Sequence, residues 1–153
     1  MIDPAIAGRE VGEVRFPVER SKLVELARAY QDDDPVWYDI EAARAAGFED
    51  IPMPPTLDVL ADHWRTGGAA EKVKLIGADL RRILHGEVSW EYLAPVHPGD
   101  ELLARQRVAD VTTREGKRGG TMTLVHFETE YTNQRGELVR RRRDTLIETE
   151  ERS

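Results

Sequence analysis

The sequence predicts one α+β domain that covers residues 1–153. Apolar residues recur at helical spacing in the first half of the chain and alternate at strand spacing in the second half. The length of 153 residues suits a single compact domain, and hydrophobic residues make up 40% of the chain, which is enough to build a core. We find no internal repeat and no low-complexity linker that would divide the chain.

Two amphipathic helices are predicted before residue 48. Ser21 is the candidate N-cap of the first helix. The apolar positions of that helix recur at i, i+3, i+4 and i+7, at Leu23, Leu26, Ala27 and Tyr30. Asp39 is the candidate N-cap of a short second helix through Ala46, and Gly47 suits the left-handed conformation that often ends a helix.

A third helix is predicted to be central and the most buried. The proline-rich residues 51–55 cannot lie inside it, because proline has no N–H and biases its predecessor towards extended backbone. The helix begins after Thr56 and stops near the glycine pair at 67 and 68. Its apolar stripe consists of Leu57, Leu60, Ala61 and Trp64. We expect this stripe to be largely buried.

The second half of the chain carries the strand signals. Apolar residues alternate with polar ones at Leu84, Val88, Trp90 and Tyr92. This alternation predicts a strand with one buried face. After a turn at residues 95–100, three more strand-like runs cover about 101–113, 120–132 and 138–149, with glycine-containing turns at 115–120 and 133–136. These runs predict an antiparallel meander, and residues 11–18 are a candidate fifth strand.

Composition argues against several functional classes. The chain has no cysteine, which rules out disulfides, thiolate metal sites and cysteine nucleophiles. Its 29 acidic and 22 basic residues give a net charge of −7, which opposes nonspecific binding to nucleic acid. No apolar run approaches the roughly 18 to 20 residues that span a bilayer, and the first four residues lack the features of a signal peptide. We therefore expect no membrane association and a cytoplasmic location.

Signals for a metal or a cofactor are also missing. The four histidines fall in four different elements with no HxxxH or HxxEH spacing, so no metal site is expected. His63, His97 and His126 are interpreted as structural. Neither a GxGxxG nor a GxxxxGK[ST] motif occurs, which argues against a dinucleotide or nucleoside triphosphate site built on a phosphate loop. The expected cofactor is therefore none.

Four segments resemble, in order and spacing, the MaoC-like dehydratases, in particular the variant that is similar to the FAS1-like dehydratase domain. These segments are residues 27–39, 54–57, 84–87 and 94–100. The resemblance covers nearly the whole chain. It implies a single hotdog domain, in which an antiparallel sheet wraps around a central helix. It also implies a homodimer, or a heterodimer with a related hotdog chain, in which a thioester tunnel runs along the interface.

The resemblance implies a reaction as well as a fold. Active relatives add water to an enoyl thioester, or remove it from a 3-hydroxyacyl thioester, carried by coenzyme A or acyl carrier protein. This chemistry needs two proton-handling groups and a donor for the carbonyl oxygen. In these relatives an Asp and a His do the proton transfer, within a Gly-Asp-x-Asn-Pro-x-His pattern. The matching run here is residues 31–37, in which Asp32 matches the aspartate and Asp34 matches the asparagine.

Two positions depart from the pattern of the active relatives. Trp37 stands where the histidine should be, and an indole N–H donates a hydrogen bond but cannot shuttle a proton near neutral pH. Pro55 aligns with the usual backbone donor to the carbonyl oxygen, and proline has no N–H. That donor would have to shift to Thr56 or Leu57. The remaining candidate substrate-binding residues are Asp34, Trp37, Pro55 and Gly86.

His85 is the histidine that lies within a segment matching the family. It is the candidate replacement for the missing proton shuttle, and Gly86 is a candidate bulge that would re-aim it. The alternative is that His85 is a surface histidine, because strict alternation places it on the polar face of its strand together with Glu87.

The arginine run at residues 140–143 also has two interpretations. Alternation places Arg140 with Arg142 on one face of the strand and Arg141 with Arg143 on the other. The two pairs cannot both be buried. The first interpretation is an edge-strand or surface ladder that pairs with Glu residues on neighbouring strands. The second is recognition of the phosphates of coenzyme A or of a phosphopantetheine arm.

Two functional hypotheses of different class follow. The first is an (R)-specific enoyl-thioester hydratase or 3-hydroxyacyl-thioester dehydratase, a carbon–oxygen lyase in which Asp32 and His85 form a rearranged acid/base pair. The second is a non-catalytic subunit that binds the acyl chain and resembles the partner subunit of actinobacterial dehydratase heterodimers. A third, weaker hypothesis is an acyl-thioester binding or scaffold protein without a catalytic partner.

Overall fold

The computed structural model describes residues 1–116 and 120–150. The strands are β1 (Glu10–Pro17), β2 (Ile83–Tyr92), β3 (Glu101–Glu115), β4 (Thr121–Thr132) and β5 (Leu138–Thr149). The α-helices are α1 (Arg20–Ala29), α2 (Ile40–Ala45) and α3 (Gly68–Leu75). Short 3-10 helices occupy Pro4–Ile6, Pro35–Trp37, Leu57–His63 and Leu80–Arg82. Within the described residues, no helix combines the length and the apolar character that a membrane span requires.

The strands form one antiparallel sheet in the order β1-β3-β4-β5-β2. The predicted meander of β3, β4 and β5 is confirmed, and β1 supplies the predicted fifth strand. β2 is not a neighbour of β3 but pairs with β5 at the far edge of the sheet. The predicted turn at residues 115–120 includes 117–119, which lie outside the described residues. The combination of one antiparallel sheet with a few short helices confirms the predicted α+β class.

Two groups of buried apolar side chains pack the helical segments against the sheet. The first group includes Phe16, Leu23, Leu57, Leu102 and Tyr131. The second includes Val11, Val108, Val125, Phe127 and Leu146. Both groups draw on alternate residues of the strands, so one face of the sheet forms most of the core. The other face carries the charged residues described below.

The first two helices begin and end close to their predicted positions. Ser21 is not the N-cap of α1, because the helix begins at Arg20 and the capping position falls on Glu19, whose side chain makes no capping hydrogen bond. Asp39 caps α2 as predicted, since its Oδ1 accepts hydrogen bonds from the second and third N–H groups of that helix. Gly47 follows α2 with a φ of 95°, as its predicted role requires.

The helix predicted to be central is a 3-10 helix, Leu57–His63, called here the core 3-10 helix. A 3-10 helix has three residues per turn, so Asp58 and Ala61 lie in one row. Both are buried, whereas Leu60 is only half-buried and Trp64 is 42% exposed. The predicted burial of Trp64 is wrong, because the helix ends at His63 and Trp64 lies at its C-cap, beyond the buried row.

The helix α3 was not predicted from the sequence. It occupies residues where a helix was predicted to stop, and Gly67, in the left-handed conformation, separates it from the core 3-10 helix. Lys72 is buried in α3 above the ring of Phe127, with Nζ 4.1 Å from the ring centroid. A lysine at an inward position weakens the apolar pattern, which explains why α3 was hard to predict.

β2 is present as predicted but its apolar face is not buried. Leu84 is 55%, Val88 46% and Tyr92 51% exposed. β2 is the last strand of the sheet, and neither group of buried apolar side chains includes these three residues. The predicted buried face is therefore an exposed apolar edge in the single chain.

Replacing Leu57 by Ala is expected to lower the free energy of unfolding by about 2–5 kcal/mol, because a buried leucine is lost and a cavity remains. Leu60→Ala, in the same helix, is the matched control and is expected to cost about half as much, since Leu60 is already half-exposed. Urea denaturation measures both values. A larger loss for Leu60→Ala would contradict the deeper burial of Leu57 described here.

Candidate functional site

The acidic loop begins with a tight helix end. Gln31 has a φ of 58°, in the left-handed region. Its N–H donates to the carbonyl of Arg28 at 3.0 Å, and the N–H of Asp32 donates to the carbonyl of Ala27 at 3.1 Å. These are the two hydrogen bonds of a Schellman motif. The end of α1 therefore fixes the backbone of Asp32 at the start of the loop.

Replacing Gln31 by Gly is expected to raise the free energy of unfolding by up to about 1 kcal/mol. Glycine removes the left-handed strain of a residue with a Cβ, which slightly exceeds the entropy that glycine loses on folding. Gln31→Val should instead destabilise the protein, because a branched side chain tolerates positive φ least. Urea midpoints of the two variants test this. Shifts of the same sign would contradict the backbone conformation described here.

Both oxygens of the Asp32 carboxylate accept hydrogen bonds. Trp37 Nε1 donates to Oδ2 at 2.9 Å, and the N–H of Asp34 donates to Oδ1 at 3.1 Å. The Tyr38 hydroxyl donates to the carbonyl oxygen of Asp32 at 2.6 Å. Asp34 in turn caps the 3-10 helix Pro35–Trp37 through its Oδ1. Asp34 therefore shapes the loop, and Trp37 holds the carboxylate of Asp32.

The Asp32–Trp37 contact has a definite chemical consequence. The residue at the position of the family's histidine does contact the residue at the position of its aspartate. The indole, however, has one N–H and no basic nitrogen, so it orients the carboxylate and cannot take or return a proton at neutral pH. The sequence identified this pair of positions but did not predict the hydrogen bond between them.

Leu57 and Thr56, the two predicted substitutes for the donor missing at Pro55, both make hydrogen bonds within the chain. The N–H of Leu57 already donates to the carbonyl of Pro54 at 3.2 Å. The side chain of Thr56 is bound as well, since its Oγ1 lies 2.5 Å from the Tyr30 hydroxyl. The carbonyl oxygen of Pro55 accepts hydrogen bonds from other elements, described below. This region is therefore tied internally, and Leu57 is not a free donor.

A groove of about 370 Å³ lies beside this loop. Its lining is mostly apolar and consists of Trp37, Phe48, Pro52, Met53, Pro55, Tyr92, Leu93, Ala94, Pro95, Val96 and Arg140. Trp37 and Pro55 are the lining residues that the sequence analysis chose as candidates. The prolines and the family-like segment at 94–96 were visible in the sequence. Phe48, Tyr92 and Arg140 were missed as lining residues, because long-range folding brings them here.

His85 lies away from the acidic loop. It pairs with Leu146 near the start of β2, seven residues before Tyr92, which corresponds to about 20 Å of strand. Tyr92 is the β2 residue that lines the groove. No hydrogen bond or ion pair joins His85 to Asp32 among the described residues. Within the described part of one chain the structure thus shows no contact between Asp32 and His85, and their pairing stays a prediction.

Gly86 does mark a bulge, as predicted. The pairing of β2 with β5 shifts register between His85 and Val88. A Cβ at Gly86 would lie 3.1 Å from the carbonyl oxygen of Thr145, so the close approach of β5 favours glycine there. His85 remains exposed despite the bulge. Gly86 is thus distant from the groove, and its predicted role in substrate binding stays a prediction.

A buried ion cluster lies behind the groove. Asp58 of the core 3-10 helix is 0% exposed, and its Oδ1 accepts a hydrogen bond from Arg140 Nη1 at 2.8 Å. Its Oδ2 accepts one from Trp90 Nε1 at 3.1 Å and lies 3.8 Å from Arg142 Nη1. Arg142 also donates to Asp144 at 3.2 Å. Each buried carboxylate is thus paired with a cation, as burial requires.

Burial also shifts titration around this cluster. It raises the pKa of the Tyr131 hydroxyl and the pKa of the Tyr92 hydroxyl. It lowers the pKa of Lys72, although Asp144 lies 3.6 Å away and opposes the shift. The two phenols therefore remain protonated near neutral pH and do not act as bases. Neither replaces the proton shuttle missing at Trp37.

The other two arginines of the run lie on the solvent face of the sheet. Arg141 pairs with Glu91 on β2 and Glu130 on β4, and Arg143 pairs with Glu128 on β4. The predicted alternation and the Glu-pairing ladder are confirmed for these two residues. The predicted edge position is wrong, because β5 lies between β4 and β2. Arg140 and Arg142 form the buried pair.

Comparison with known proteins identifies the family. The profile of the "FAS1-like, dehydratase domain region" family matches residues 5–142. The chain belongs to this family. A UPF0336 protein of Saccharopolyspora erythraea is 33% identical over 147 residues, which cover 95% of this chain and 90% of that protein.

Solved structures agree with this assignment. A chain of the HadBC (3R-hydroxyacyl-ACP dehydratase) complex of Mycobacterium tuberculosis superimposes with a TM-score of 0.77 and 27% identity, covering 93% of this chain and 96% of that chain. The MaoC-like dehydratase of Rhodospirillum rubrum gives a TM-score of 0.67 at 22% identity, covering 96% and 94%. The hotdog fold implied by the resemblance is therefore confirmed. Membership of this dehydratase family supports a role of the hydratase/dehydratase type.

Within the described residues, no group of three His, Asp or Glu side chains is arranged to hold a metal ion.

Proposed function

We propose that the chain is the acyl-chain-binding subunit of a two-chain hotdog hydratase/dehydratase. In this proposal a second hotdog chain with an intact Asp–His pair acts on an enoyl or 3-hydroxyacyl thioester of coenzyme A or acyl carrier protein. The present chain contributes its apolar groove and leaves proton transfer to that partner. The chemistry belongs to the carbon–oxygen lyases and takes place in the assembled dimer.

One observation carries the proposal, namely the hydrogen bond from Trp37 Nε1 to Asp32 Oδ2 at 2.9 Å. In this hydrogen bond an indole N–H contacts the Asp32 carboxylate, whereas active relatives have the basic nitrogen of a histidine at the position of Trp37. Dehydration requires one group to take a proton and one to give a proton to the departing hydroxyl. Asp32 alone supplies a single such group, and His85 lies at the other end of β2. A chain with this geometry can bind an acyl thioester but lacks the second group that proton transfer requires.

The groove fits the tail of an acyl chain. Its lining is dominated by prolines, aromatic rings and aliphatic side chains, and its volume of about 370 Å³ lies at the small end of ordinary ligand sites. Each buried methylene of an acyl chain gains roughly 0.8 kcal/mol from such a surface. Affinity should therefore rise with chain length until the groove is filled.

The exposed edge of β2 supports the two-chain part of the proposal. Leu84, Val88 and Tyr92 expose apolar surface along this strand, and within residues 1–116 and 120–150 no strand pairs with the outer side of β2. An exposed apolar edge strand favours pairing with another chain. The partner would complete the sheet at this edge, next to the end of β2 that lines the groove.

A hydratase active without a partner is the second candidate. The observation that favours it is Asp32, which matches the family's aspartate and remains exposed to solvent. In that case Asp32→Asn should lower turnover of the isolated chain by roughly 10² or more. Asp33→Asn removes an adjacent exposed carboxylate and is the matched control.

The test is an assay of purified protein with crotonyl-coenzyme A and longer enoyl-coenzyme A substrates. The chain is measured alone and together with a hotdog chain that carries the Asp-x-Asn-Pro-x-His run, and sedimentation reports whether the two chains associate. We expect a heterodimer, negligible turnover by the isolated chain and strong turnover by the mixture. Full turnover by the isolated chain would overturn the proposal in favour of the second candidate.

A further inference from the structure

One side chain in the groove has hydrogen-bonding capacity that the fold does not use. Arg140 is 4% exposed and lines the groove. Its Nη1 donates to the carbonyl of Pro55 and to Asp58, each at 2.8 Å. Its Nε is buried without a partner, and its Nη2 makes no hydrogen bond within the described part of the chain. A buried N–H without an acceptor is rare and calls for a water or a ligand.

The other side-chain donors of the groove are already engaged. Among the lining side chains, Trp37, Tyr92 and Arg140 carry an N–H or O–H group. The Trp37 indole donates to Asp32, and the Tyr92 hydroxyl donates to the carbonyl of Pro55 at 3.1 Å. The three lining prolines have no N–H at all. A polar ligand atom in this groove would therefore meet the guanidinium of Arg140.

The guanidinium is also held in place. Asp58 fixes one side of it, and the Tyr92 ring lies 4.7 Å from its Cζ. Asp58 is itself fixed by Trp90 and by the nearby Arg142. These contacts leave the edge formed by Nε and Nη2 as the free edge of Arg140. Such a rigid fork in a poorly hydrated site binds oxygen acceptors strongly.

We propose that Arg140 selects acyl chains that carry an oxygen substituent remote from the reacting carbons. The inference rests on the proposed function, in which the tail of the acyl chain enters this groove. A plain hydrocarbon tail would leave the free edge of Arg140 unsatisfied, whereas a ketone, hydroxyl or carboxylate oxygen would accept its hydrogen bonds. Arg140 is then a specificity-determining residue, and the substrate class is an oxygenated enoyl or 3-hydroxyacyl thioester.

The test compares substrates of equal length in the assembled two-chain enzyme. The probes are oct-2-enoyl-coenzyme A and its 5-oxo, 7-oxo and terminal-carboxylate derivatives, and the readout is the ratio of kcat/KM values. We expect at least one oxygenated probe to be preferred about tenfold over the plain chain. Preference for an oxo probe indicates a neutral acceptor, and preference for the carboxylate indicates an anionic one. Both results support the proposal.

Substitutions test whether Arg140 causes the preference for oxygenated probes. Arg140→Lys keeps a positive charge near Asp58 but lacks the planar fork, so the ratio of kcat/KM for the preferred oxygenated probe over oct-2-enoyl-coenzyme A should fall to about one. Arg141→Lys, the neighbouring change on the solvent face, should keep the preference and is the control. If Arg140→Lys does not fold, the double variant Arg140→Gln with Asp58→Asn is tested in its place, because it removes both buried charges together.

Three outcomes would overturn a proposal, and they are distinguishable. If the wild-type complex turns over oct-2-enoyl-coenzyme A at least as well as every oxygenated probe, the inference about Arg140 fails. The proposed binding of acyl chains in the groove is then unaffected. If the preference survives in Arg140→Lys, another residue is responsible. If the complex turns over no enoyl thioester, the proposed function itself fails.

Discussion

Replacing Asp58 by Ala is expected to lower the free energy of unfolding by about 3–5 kcal/mol. Asp58 is fully buried and pairs with Arg140 at 2.8 Å. Its removal leaves the Arg140 guanidinium without its carboxylate partner and the Trp90 indole N–H without its acceptor, whereas Arg142 keeps Asp144. The cost comes mainly from the uncompensated buried charge, because water cannot replace the lost carboxylate there. Urea denaturation followed by circular dichroism measures the loss.

Glu130→Ala is the matched control for this prediction. It also removes a carboxylate that pairs with an arginine of β5, since Glu130 lies 3.1 Å from Arg141. That pair lies on the solvent face, so its loss should cost at most about 1 kcal/mol. Similar losses for Asp58→Ala and Glu130→Ala would show that the Asp58 cluster is hydrated, contrary to the structure described here.

Replacing Ala94 by Trp is expected to make the two-chain enzyme selective for short acyl chains. Ala94 lines the groove and its N–H is fixed to the carbonyl of Val139 at 3.1 Å, so a large side chain there occupies the acyl space. An octenoyl chain has four more carbons than a crotonyl chain, and at roughly 0.8 kcal/mol each their exclusion lowers kcat/KM by about 10²-fold.

The crotonyl substrate is the internal control of the Ala94→Trp experiment. Its kcat/KM should change by less than about threefold, because a short chain does not reach the blocked part of the groove. Equal losses for the two substrates would mean that the variant disturbs the dimer or the partner. An unchanged octenoyl rate would place the acyl chain elsewhere and contradict the role of this groove.

The strands were well predicted because their information is local. Alternation along the chain and glycine-containing turns define β3, β4 and β5, and antiparallel neighbours joined by short turns need no long-range information. The burial of β2 was predicted wrongly for the opposite reason. Its alternation is real, but apolar residues such as Val88 lie outside both groups of buried apolar side chains, because the described helices and strands pack elsewhere on the sheet.

The candidate site was predicted in part. The spacing of the acidic loop identified Asp32 and Trp37 as the positions of the lost acid/base pair, and the structure brings these two side chains into contact. Asp58 was missed because its partner Arg140 is 82 residues away and because a 3-10 period, not a 3.6 period, turns it inward. No pattern in one sequence reports such a long-range pair.

The most direct test of the account removes one aspartate at a time from the assembled two-chain enzyme. In the first complex Asp32→Asn is introduced in this chain, and in the second the dyad aspartate of the partner is changed to asparagine. We predict that the first complex keeps turnover within about twofold of the wild type, whereas the second loses roughly 10² or more. A large loss from Asp32→Asn with little effect of the partner's change would contradict the assignment of catalysis to the partner.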